Sequence, residues 1–469
     1  MKFKKGLKII ALVSAMTVIC GTFFGCGKDE SISSDGRVII TVGNWPTKEG
    51  RAKELENAKK ARFEEANPEF EIVPDEWTFD LKSFYPKAAG GKLPIIFNTA
   101  YTEASQIMAA GYSADITDEL KKQDVYDKIN PNILDIISKD GRVYMYPTTA
   151  YVLGMGCNID LMKEAGLVMA DGTPMQPKTW DEVAEFAVKI KKATGKAGLV
   201  LPTMANHGGW LFTPIAWSYG VEFMKKGDDG KWKATFDTQE ATDALQYIKD
   251  LKWKYDVLPA NTLIDGTVHS EIYGSGNAGL FIVAGNYSSS AAKYGMKPEQ
   301  MGIMAMPAGP KKHVTLLGGG IFSVSSKATD KQVEGAVKWA KTVFSPETTE
   351  ESRANAENTA KLNVEQGLWV GVNTFSSWKP DCDSAKSARE LNEKYSNTNP
   401  NHYKLYNDFL DNLGDCELRA EEPVCAQELY GILDNCIQEV LTNKDADCAA
   451  LLEKACSDFQ KNYLDNLDY

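Results

Sequence analysis

Aromatic and polar residues stand together where three predicted strands end in the N-terminal part of the chain. Trp45 follows the first of these strands, Glu76 and Trp77 follow the second, and Asn98 and Tyr101 follow the third. A sugar has apolar C–H faces and a polar rim, so a sugar site needs aromatic rings with carboxylates or amides beside them. These residues predict a site for such a molecule. Packing on the domain surface is the alternative for Trp45, and simple solvation is the alternative for Glu76.

Further candidates lie in later parts of the chain. His207 and Trp210 follow another predicted strand, Leu199–Pro202, although core packing competes as an explanation for Trp210. Gly318 and Gly319 precede an apolar strand, and glycine lets the backbone approach a ligand closely because it has no Cβ. A tight start to the strand would explain the same glycines, and both explanations can hold together.

Catalytic and cofactor chemistry finds little support in the sequence. Asp75 and Glu76 are adjacent and would point to opposite faces of a strand, whereas a glycoside hydrolase needs two carboxylates that converge. The sequence has no Gly-x-x-x-x-Gly-Lys-Ser/Thr phosphate loop. It has no Cys-x-x-Cys and only four histidines, so a zinc site is not expected. We therefore expect a binding protein without enzyme activity, cofactor or metal.

The elements that must position these residues alternate between strands and helices. Apolar β-branched segments predict strands and amphipathic segments predict helices, in the order strand 37–42, helix 53–66, strand 70–73, helix 79–89 and strand 93–97. This alternation is typical of an α/β fold with an open parallel sheet, in which ligands bind at the carboxyl ends of strands. The alternation continues up to Phe344, and the chain from Thr348 onward is predicted to be mostly helical.

The N-terminus carries an export pattern. Four lysines in the first eight residues precede an uncharged apolar run, Ile9–Ile19, which is too short to span a membrane, and Gly25 and Cys26 follow. This order resembles a bacterial lipoprotein signal. The resemblance implies a signal peptide over residues 1–25, two acyl chains on Cys26 as a stable membrane anchor, and a polar tether over residues 26–36. An ordinary signal peptide with an incidental cysteine is the alternative.

Length and charge limit the remaining possibilities. A chain of 469 residues, even without its signal, is too long for one comfortable core and suggests two lobes. Its net charge of −12 argues against nucleic acid as a partner, since phosphate binding needs a concentrated basic face.

The last 90 residues contain a cluster of cysteines at Cys382, Cys416, Cys425, Cys436, Cys448 and Cys456. Six cysteines in an exported segment suggest disulfides. Two predicted helices, 428–441 and 447–464, would form a hairpin. This hairpin would bring Cys436 near Cys448, and Cys425 toward Cys456. Cys382 and Cys416 would then be left to pair with each other. The alternative is that several of them stay reduced and buried.

The order of several short blocks resembles the family of extracellular solute-binding proteins that includes maltose-binding protein. The blocks cover most of residues 37–346 and comprise Leu93–Phe97, Ala109–Thr117, Asp140–Pro147, Gly156–Leu167, Pro177–Val183, Gly276–Phe281 and Gly318–Ser325. The chain departs from the family pattern at Ile95, where aspartate is common, and at Cys157, where tyrosine is usual. The C-terminal third resembles the family only in being helical.

This resemblance implies a two-lobe periplasmic-binding-protein fold of type II, with a hinge and a helical C-terminal region. The chain would cross between lobes near Pro147 and near Met306-Pro307. The first lobe would then comprise 37–147 with 307–346, and the second 148–306 with 347–469. Ligand would close the hinge by contacting both lobes. The implied partners of this monomer are a sugar or oligosaccharide and the permease subunits of an ABC importer, outside the cytoplasmic membrane.

The resemblance also adds ligand-binding residues. Asn98 and Tyr101 match a turn that contacts ligand in the family, His207 and Trp210 match a place where the family has aromatics, and Asn286 and Tyr287 match a family position with an aromatic platform. Two further expected contacts are Tyr151, after the lobe crossing, and Trp369, in a region where the family has an aromatic residue. For Tyr151 the alternative is that its side chain faces the core. Because Glu76 and His207 are the only charged or titratable candidates apart from phenols, we expect a neutral solute; a peptide, polyamine or other small molecule is the alternative.

Overall fold

The computed structural model describes residues 31–467. Its strands in chain order are β1 (Val38–Val42), β2 (Phe70–Pro74), β3 (Ile96–Ala100), β4 (Ser138–Lys139), β5 (Arg142–Val143), β6 (Met145–Asn158), β7 (Ala197–Val200), β8 (Met224–Lys226), β9 (Trp232–Ala234), β10 (Ala278–Ala284), β11 (Met301–Met304), β12 (Val314–Val324) and β13 (Glu417–Arg419). The strands predicted near the N-terminus are confirmed to within a few residues.

Helices cover both faces of the sheet and most of the C-terminal region. In chain order they are α1 (Arg51–Ala66), α2 (Leu81–Ala89), α3 (Tyr101–Ala109), α4 (Thr117–Lys122), α5 (Pro131–Ile136), α6 (Ile159–Glu164), α7 (Trp180–Thr194), α8 (His207–Tyr219), α9 (Gln239–Trp253), α10 (Gly266–Gly274), α11 (Ser288–Lys293), α12 (Asp330–Val343), α13 (Glu350–Glu365), α14 (Asp383–Lys394), α15 (Lys404–Asp411), α16 (Ala426–Thr442) and α17 (Cys448–Asn462). Within residues 31–467, none of these helices has the length and apolar character to cross a membrane.

Local sequence explains where these helices begin and end. The hydroxyl of Thr179 accepts a hydrogen bond from the N–H of Glu182 at 3.3 Å and caps α7, and Gly195 ends that helix with a left-handed φ of 69°. Thr329 and Gln332 form a reciprocal capping box at the start of α12.

Two long strands join two lobes. The first lobe holds the parallel strands β2, β1 and β3 with α1–α5 and α12, and the second holds β7, β10 and β11 with α6–α11. β6 and β12 are antiparallel partners at the centre of the strand order β2-β1-β3-β12-β6-β10-β7. The architecture is therefore the expected α/β two-lobe fold.

The crossings between lobes lie on these central strands. β6 pairs with β12 from Met145 to Val152, with a shift of register between Gly320 and Ile321, and from Leu153 onward it pairs with β10. Ala308 and Leu316 still pack with the second lobe, because Ala308 bridges to Thr179 and Leu316 is buried in the second lobe's core. The second crossing therefore occurs within β12, at its Gly318–Gly320 run, rather than at the predicted Met306-Pro307.

The C-terminal region divides between the lobes. Trp378 forms a bridge with Ile129 and packs its ring against Tyr146, 5.7 Å away between centroids, so this part lies against the first lobe. In contrast, α16 and α17 bury their apolar faces in the second lobe's core, together with α8 and α9. The stretch around Trp378 therefore packs on the first lobe, although all of 347–469 was predicted to belong to the second.

The last part of the predicted tether, residues 31–36, is folded. Ile32 bridges to Val38, and Ser31 accepts a hydrogen bond from the N–H of Ile39 at 2.8 Å, so residues 31–36 turn back against β1. The signal peptide, Cys26 and residues 26–30 lie outside the described residues.

The predicted disulfides are wrong for the structure, in which all six clustered cysteines are free thiols. The predicted hairpin of α16 and α17 forms, but its cysteines face different neighbours. The sulfur of Cys436 lies 3.9 Å from the carbonyl of Leu451, whereas that of Cys448 lies 3.6 Å from the side-chain oxygen of Gln246. Cys425 lies near Glu103 of the first lobe, Cys456 lies near Asp237, and Cys382 and Cys416 face the carbonyls of Lys128 and Glu417.

Candidate functional site

Five of the residues predicted from sequence line one cavity of about 460 Å³ at the hinge and the second lobe, which we term the aromatic cavity: Tyr151, His207, Trp210, Asn286 and Tyr287. Lys293 and Tyr294 contribute to the same wall. An aromatic surface with amide, imidazole and ammonium groups around it suits a small polar molecule that has apolar faces.

Tyr151 reaches this cavity from the hinge strand β6 because β12 leaves room for its ring. Gly318 pairs with Tyr151 across the two strands. A Cβ on Gly318 would lie 2.3 Å from the far end of the Tyr151 ring, so glycine at this position accommodates the aromatic side chain. Gly318 thus acts on the site through Tyr151, whereas the sequence predicted direct contact between its backbone and the ligand.

Helix α8 presents His207 and Trp210, and an unusual start fixes its position. Ala205 and Asn206 both have left-handed φ values, 56° and 68°. The carboxylate of Asp434 on α16 accepts hydrogen bonds from the N–H groups of Asn206 and Gly209, each at 2.7 Å. A carboxylate here complements the positive end of the helix dipole. The C-terminal region therefore positions the helix that forms one wall of the cavity.

Glu421 links the cavity wall to the C-terminal region and to the first lobe. The indole N–H of Trp210 donates to one of its oxygens at 3.1 Å, and the hydroxyl of Tyr430 donates to the other at 2.6 Å. Thr102 of the first lobe lies beside the same carboxylate. Burial raises the pKa of Glu421, and these hydrogen-bonding neighbours oppose that shift.

Tyr287, which was predicted to be an aromatic platform for the ligand, is almost completely buried. It is 4% exposed, and its hydroxyl donates to the carbonyl of Gly302 at 3.0 Å. Its ring packs edge-on against Phe281 and Trp369, at centroid distances of 5.5 and 5.6 Å. The indole of Trp369 donates to Thr398 at 2.8 Å, so Trp369 supports Tyr287 from behind instead of contacting the cavity as predicted.

The aromatic residues predicted after the first two strands do not line the aromatic cavity. Trp45 is buried and stacks on Trp339 at 6.2 Å, in the first lobe's core. Trp77 packs on Phe84 at 6.5 Å, and Glu76 is exposed. Solvation was the alternative considered for Glu76. Trp45 lies in the core instead of packing on the domain surface, because the end of a strand does not determine which way a side chain turns.

Asn98 and Tyr101 lie at the end of β3, under the hinge. Tyr101 is 3% exposed, and a Cβ on Gly319 would lie 2.6 Å from its ring. Its hydroxyl and the side-chain oxygen of Asn98 are buried without a hydrogen-bond partner among the described residues. These atoms have unmet hydrogen-bonding capacity next to the lobe crossing, but they do not line the aromatic cavity.

Two further cavities lie between the lobes. The larger, about 880 Å³, is the interlobe groove, lined by first-lobe residues such as Tyr112 and by second-lobe residues such as Trp232. The smaller, about 240 Å³, is the acidic cavity, lined by Leu81, Lys82, Tyr85, Glu103, Gln106, Cys425, Ala426, Gln427 and Glu428. Tyr85 and Gln106 line both, so the two are neighbours along one cleft.

Sequence reasoning missed the carboxylates of this cleft. Glu103 lies on α3 just after Tyr101, and Glu421 and Glu428 lie near the start of α16. The only local signal was the run Glu421-Glu422 before Pro423, in a region with no residue-by-residue resemblance to guide its interpretation. Among residues 31–467, no group of three or more His, Cys, Asp or Glu side chains could hold a metal ion.

Comparison with known proteins agrees with this architecture. The family described as bacterial extracellular solute-binding protein matches residues 45–350, more than half of the chain. The arabinooligosaccharide-binding protein of Bacillus subtilis (strain 168) is 30% identical over 160 residues, which is 34% of this chain and only 33% of that protein. The sn-glycerol-3-phosphate-binding periplasmic protein UgpB of Escherichia coli (strain K12) is 22% identical over 68% of this chain and 74% of its own.

A solved structure shares the fold over nearly the whole chain. The maltose-bound MalE3 of T. maritima superposes with a TM-score of 0.62 at 18% identity, covering 90% of this chain and 99% of that one. Two lobes, a hinge of paired strands and a cavity beside that hinge are thus present together with the family match. The chain belongs to the family of bacterial extracellular solute-binding proteins.

Proposed function

We propose that this protein captures a sugar or oligosaccharide and delivers it to the permease of an ABC importer by hinged closure of its lobes. The observation that carries the proposal is the aromatic cavity, where the rings of Tyr151 and Trp210 lie with Asn286 and His207 around one space. Aromatic rings cover the apolar faces of a sugar, and the amide and imidazole bind its hydroxyls.

The relatives support a saccharide without specifying which one. One relative binds arabinooligosaccharide and the neighbouring solved structure holds maltose, as their names state. Closure would require the solute to contact both lobes, and the carboxylate of Glu421, with Trp210 on one side and Thr102 on the other, lies where such contacts would form.

A phosphorylated polyol is the second candidate. His207 and Lys293 line the aromatic cavity and could hold a phosphate, and UgpB binds sn-glycerol-3-phosphate by name. Lys293 also lies over the ring of Tyr294 at 5.1 Å, so a phosphate would compete with a cation–π contact for this ammonium group.

A thermal-shift screen of the purified protein separates these candidates. A ligand at about 100 times its dissociation constant stabilises the folded state by roughly 2.7 kcal/mol, which shifts the melting temperature by a few degrees. Stabilisation by a series of saccharides supports the proposal. Stabilisation by glycerol 3-phosphate alone would replace the saccharide with the second candidate.

The proposed setting is the outer face of the cytoplasmic membrane, with the chain acting as a monomer anchored by lipid on Cys26 after removal of residues 1–25. The support is the order of basic, apolar and small residues before that cysteine. Metabolic labelling with palmitate tests the anchor. Label on the wild type but not on Cys26→Ala supports it, and an unlabelled wild type contradicts it.

We further propose that the protein performs no chemistry on its ligand. Both oxygens of Glu421 already accept hydrogen bonds, from Trp210 and Tyr430, which suits a carboxylate that holds a wall together better than one that transfers protons. Incubation with each bound saccharide and chromatography of the products tests this, since any hydrolysis above a protein-free control would contradict it.

A further inference from the structure

Glu103 is a buried acid without a partner. It exposes 8% of its surface, lies on α3 of the first lobe and lines the acidic cavity. Among residues 31–467, its carboxylate has neither a hydrogen bond nor an ion pair. An ionised carboxylate that loses water without gaining a partner is costly, so such a group calls for a counterpart that arrives from outside.

The surroundings of Glu103 add negative charge instead of cancelling it. Glu421 and Glu428, on the C-terminal side of the cleft, both act on Glu103 as like charges. Lys82 lines the same cavity but forms no ion pair with any described carboxylate. The acidic cavity therefore places uncompensated negative charge between two surfaces that move toward each other on closure.

Other polar atoms of the cavity are also suited to a donor. The hydroxyl oxygen of Tyr85 is buried without a hydrogen-bond partner among the described residues. Gln106 and Gln427 bring two side-chain amides, whose carbonyl oxygens can accept. An ammonium group carries three donors and no acceptor, which matches a cavity with this excess of acceptors.

We propose that the acidic cavity binds the ammonium group of the transported solute, and that this solute is an amine-bearing saccharide. The inference rests on the proposed function, and it replaces the neutral solute expected from sequence. Glu421 acts on Glu103 as a like charge and also accepts a hydrogen bond from Trp210, so the acidic cavity adjoins the wall of the aromatic cavity, which holds the rest of the saccharide. A cation held between Glu103 on one side and Glu428 on the other would favour the closed form.

The ionisation of Glu103 is consistent with this assignment. Burial, with a smaller contribution from Glu421 and Glu428, raises the pKa of Glu103 to about 7. A bound ammonium group would favour the ionised form, so the acid is poised to gain charge when a cation arrives.

The test is calorimetric titration of matched saccharides that differ only in the amine. Glucosamine and the glucosamine dimer carry it, N-acetylglucosamine and its dimer mask it, and glucose and cellobiose have a hydroxyl in its place. Galactosamine and galactose extend the comparison to another sugar. Choline and spermidine supply the cation without the sugar. The variants are Glu103→Gln and Glu428→Gln, with Glu439→Gln on α16 as a control that does not line the acidic cavity.

We expect at least one amine-bearing sugar to bind roughly tenfold to a hundredfold more tightly than its masked and neutral counterparts. Glu103→Gln and Glu428→Gln should remove that preference while Glu439→Gln keeps it. Equal binding of amine-bearing and neutral sugars, unchanged by Glu103→Gln, overturns the inference and leaves the proposed function intact. If only choline or spermidine binds, and Glu103→Gln abolishes that binding, the cavity is a cation site but the solute is not a saccharide. Failure of every amine to bind overturns the inference.

Discussion

The indole N–H of Trp210 on α8 donates a hydrogen bond to the carboxylate of Glu421 at 3.1 Å. This contact joins the wall of the aromatic cavity to the C-terminal region. Helix α8 also receives its N-terminal cap from that region, through Asp434. The C-terminal helices therefore help to build the candidate site.

Replacing Asp434 with alanine should destabilise the protein and weaken ligand binding together. The change leaves the N–H groups of Asn206 and Gly209 without their acceptor, at a cost of about 1–3 kcal/mol. Asn435→Ala is the matched control, because Asn435 is the exposed neighbour on the same helix. Urea unfolding and titration of one bound solute provide both readouts. Equal stability of the two variants would show that the cap contributes nothing.

Alanine substitutions at the neighbouring Gly318 and Gly319 should have different effects, one on ligand binding and the other on stability. A Cβ at position 318 meets the far end of the Tyr151 ring, which can move, so Gly318→Ala should weaken binding with little loss of stability. A Cβ at position 319 would lie 2.1 Å from the backbone oxygen of Thr149, and Gly319 has a φ of 158°. Gly319→Ala should therefore lower the melting temperature by several degrees, from a strain of about 1–3 kcal/mol. Identical effects of the two substitutions on stability and binding would contradict this account.

Because the pKa of Glu103 is raised, Glu103→Gln should increase the stability of the folded state by an amount that depends on pH. The unfolded carboxyl titrates near its ordinary value of 4.5 and the folded one near 7, so between these values the folded state holds a proton that the unfolded state has lost. Stability from this group is thus lost as pH rises through that window. Glutamine stays neutral, so the stability of the variant should match that of the wild type at pH 4 and exceed it at pH 8, by on the order of 1–3 kcal/mol.

Thermal unfolding at both pH values measures this difference, without added solute. Glu439→Gln serves again as the control on α16. A difference between Glu103→Gln and wild type that does not change with pH would show that the Glu103 carboxyl titrates alike in the folded and unfolded chains.

The seven cysteines among residues 31–467 should all react as thiols once the chain is unfolded. Denaturing alkylation without a reductant is expected to label every cysteine of the C-terminal cluster, as well as Cys157. In the native state the labelling should be slow, because burial raises the pKa of the thiols of Cys425 and Cys436 to about 12 and the thiolate is the reactive form. Intact-mass analysis measures both, and a pair of cysteines that labels only after reduction would contradict the free-thiol arrangement.

Sequence predicted the architecture better than it predicted the first lobe's part of the site. Periodicity and capping residues such as Thr179 located helices and strands, because these signals are local. Tyr151 and Trp210 line the aromatic cavity, and their role in binding ligand stays a prediction. Trp45 was misplaced because its position after a strand says nothing about its partner, Trp339, which lies almost 300 residues further along the chain.

The acids of the cleft could not be predicted for a related reason. Glu103 on α3 and Glu428 on α16 line the same cavity only because the fold places these distant parts of the chain on either side of it. The disulfide prediction was wrong because it depended on the orientation of individual side chains. The helical hairpin was correct, but the rotation of each helix about its axis decides which way Cys436 and Cys448 point.

Saccharide binding in the aromatic cavity is the central claim, and titration calorimetry of one stabilising saccharide against the wild type, Trp210→Ala and Tyr151→Ala tests it most directly. Trp253→Ala, which removes a partly exposed tryptophan outside that cavity, is the control. We predict that each cavity variant loses at least about tenfold in affinity, as expected for removal of an aromatic contact, and that the control binds like the wild type. Full affinity in both cavity variants would contradict the claim that the solute lies in this cavity.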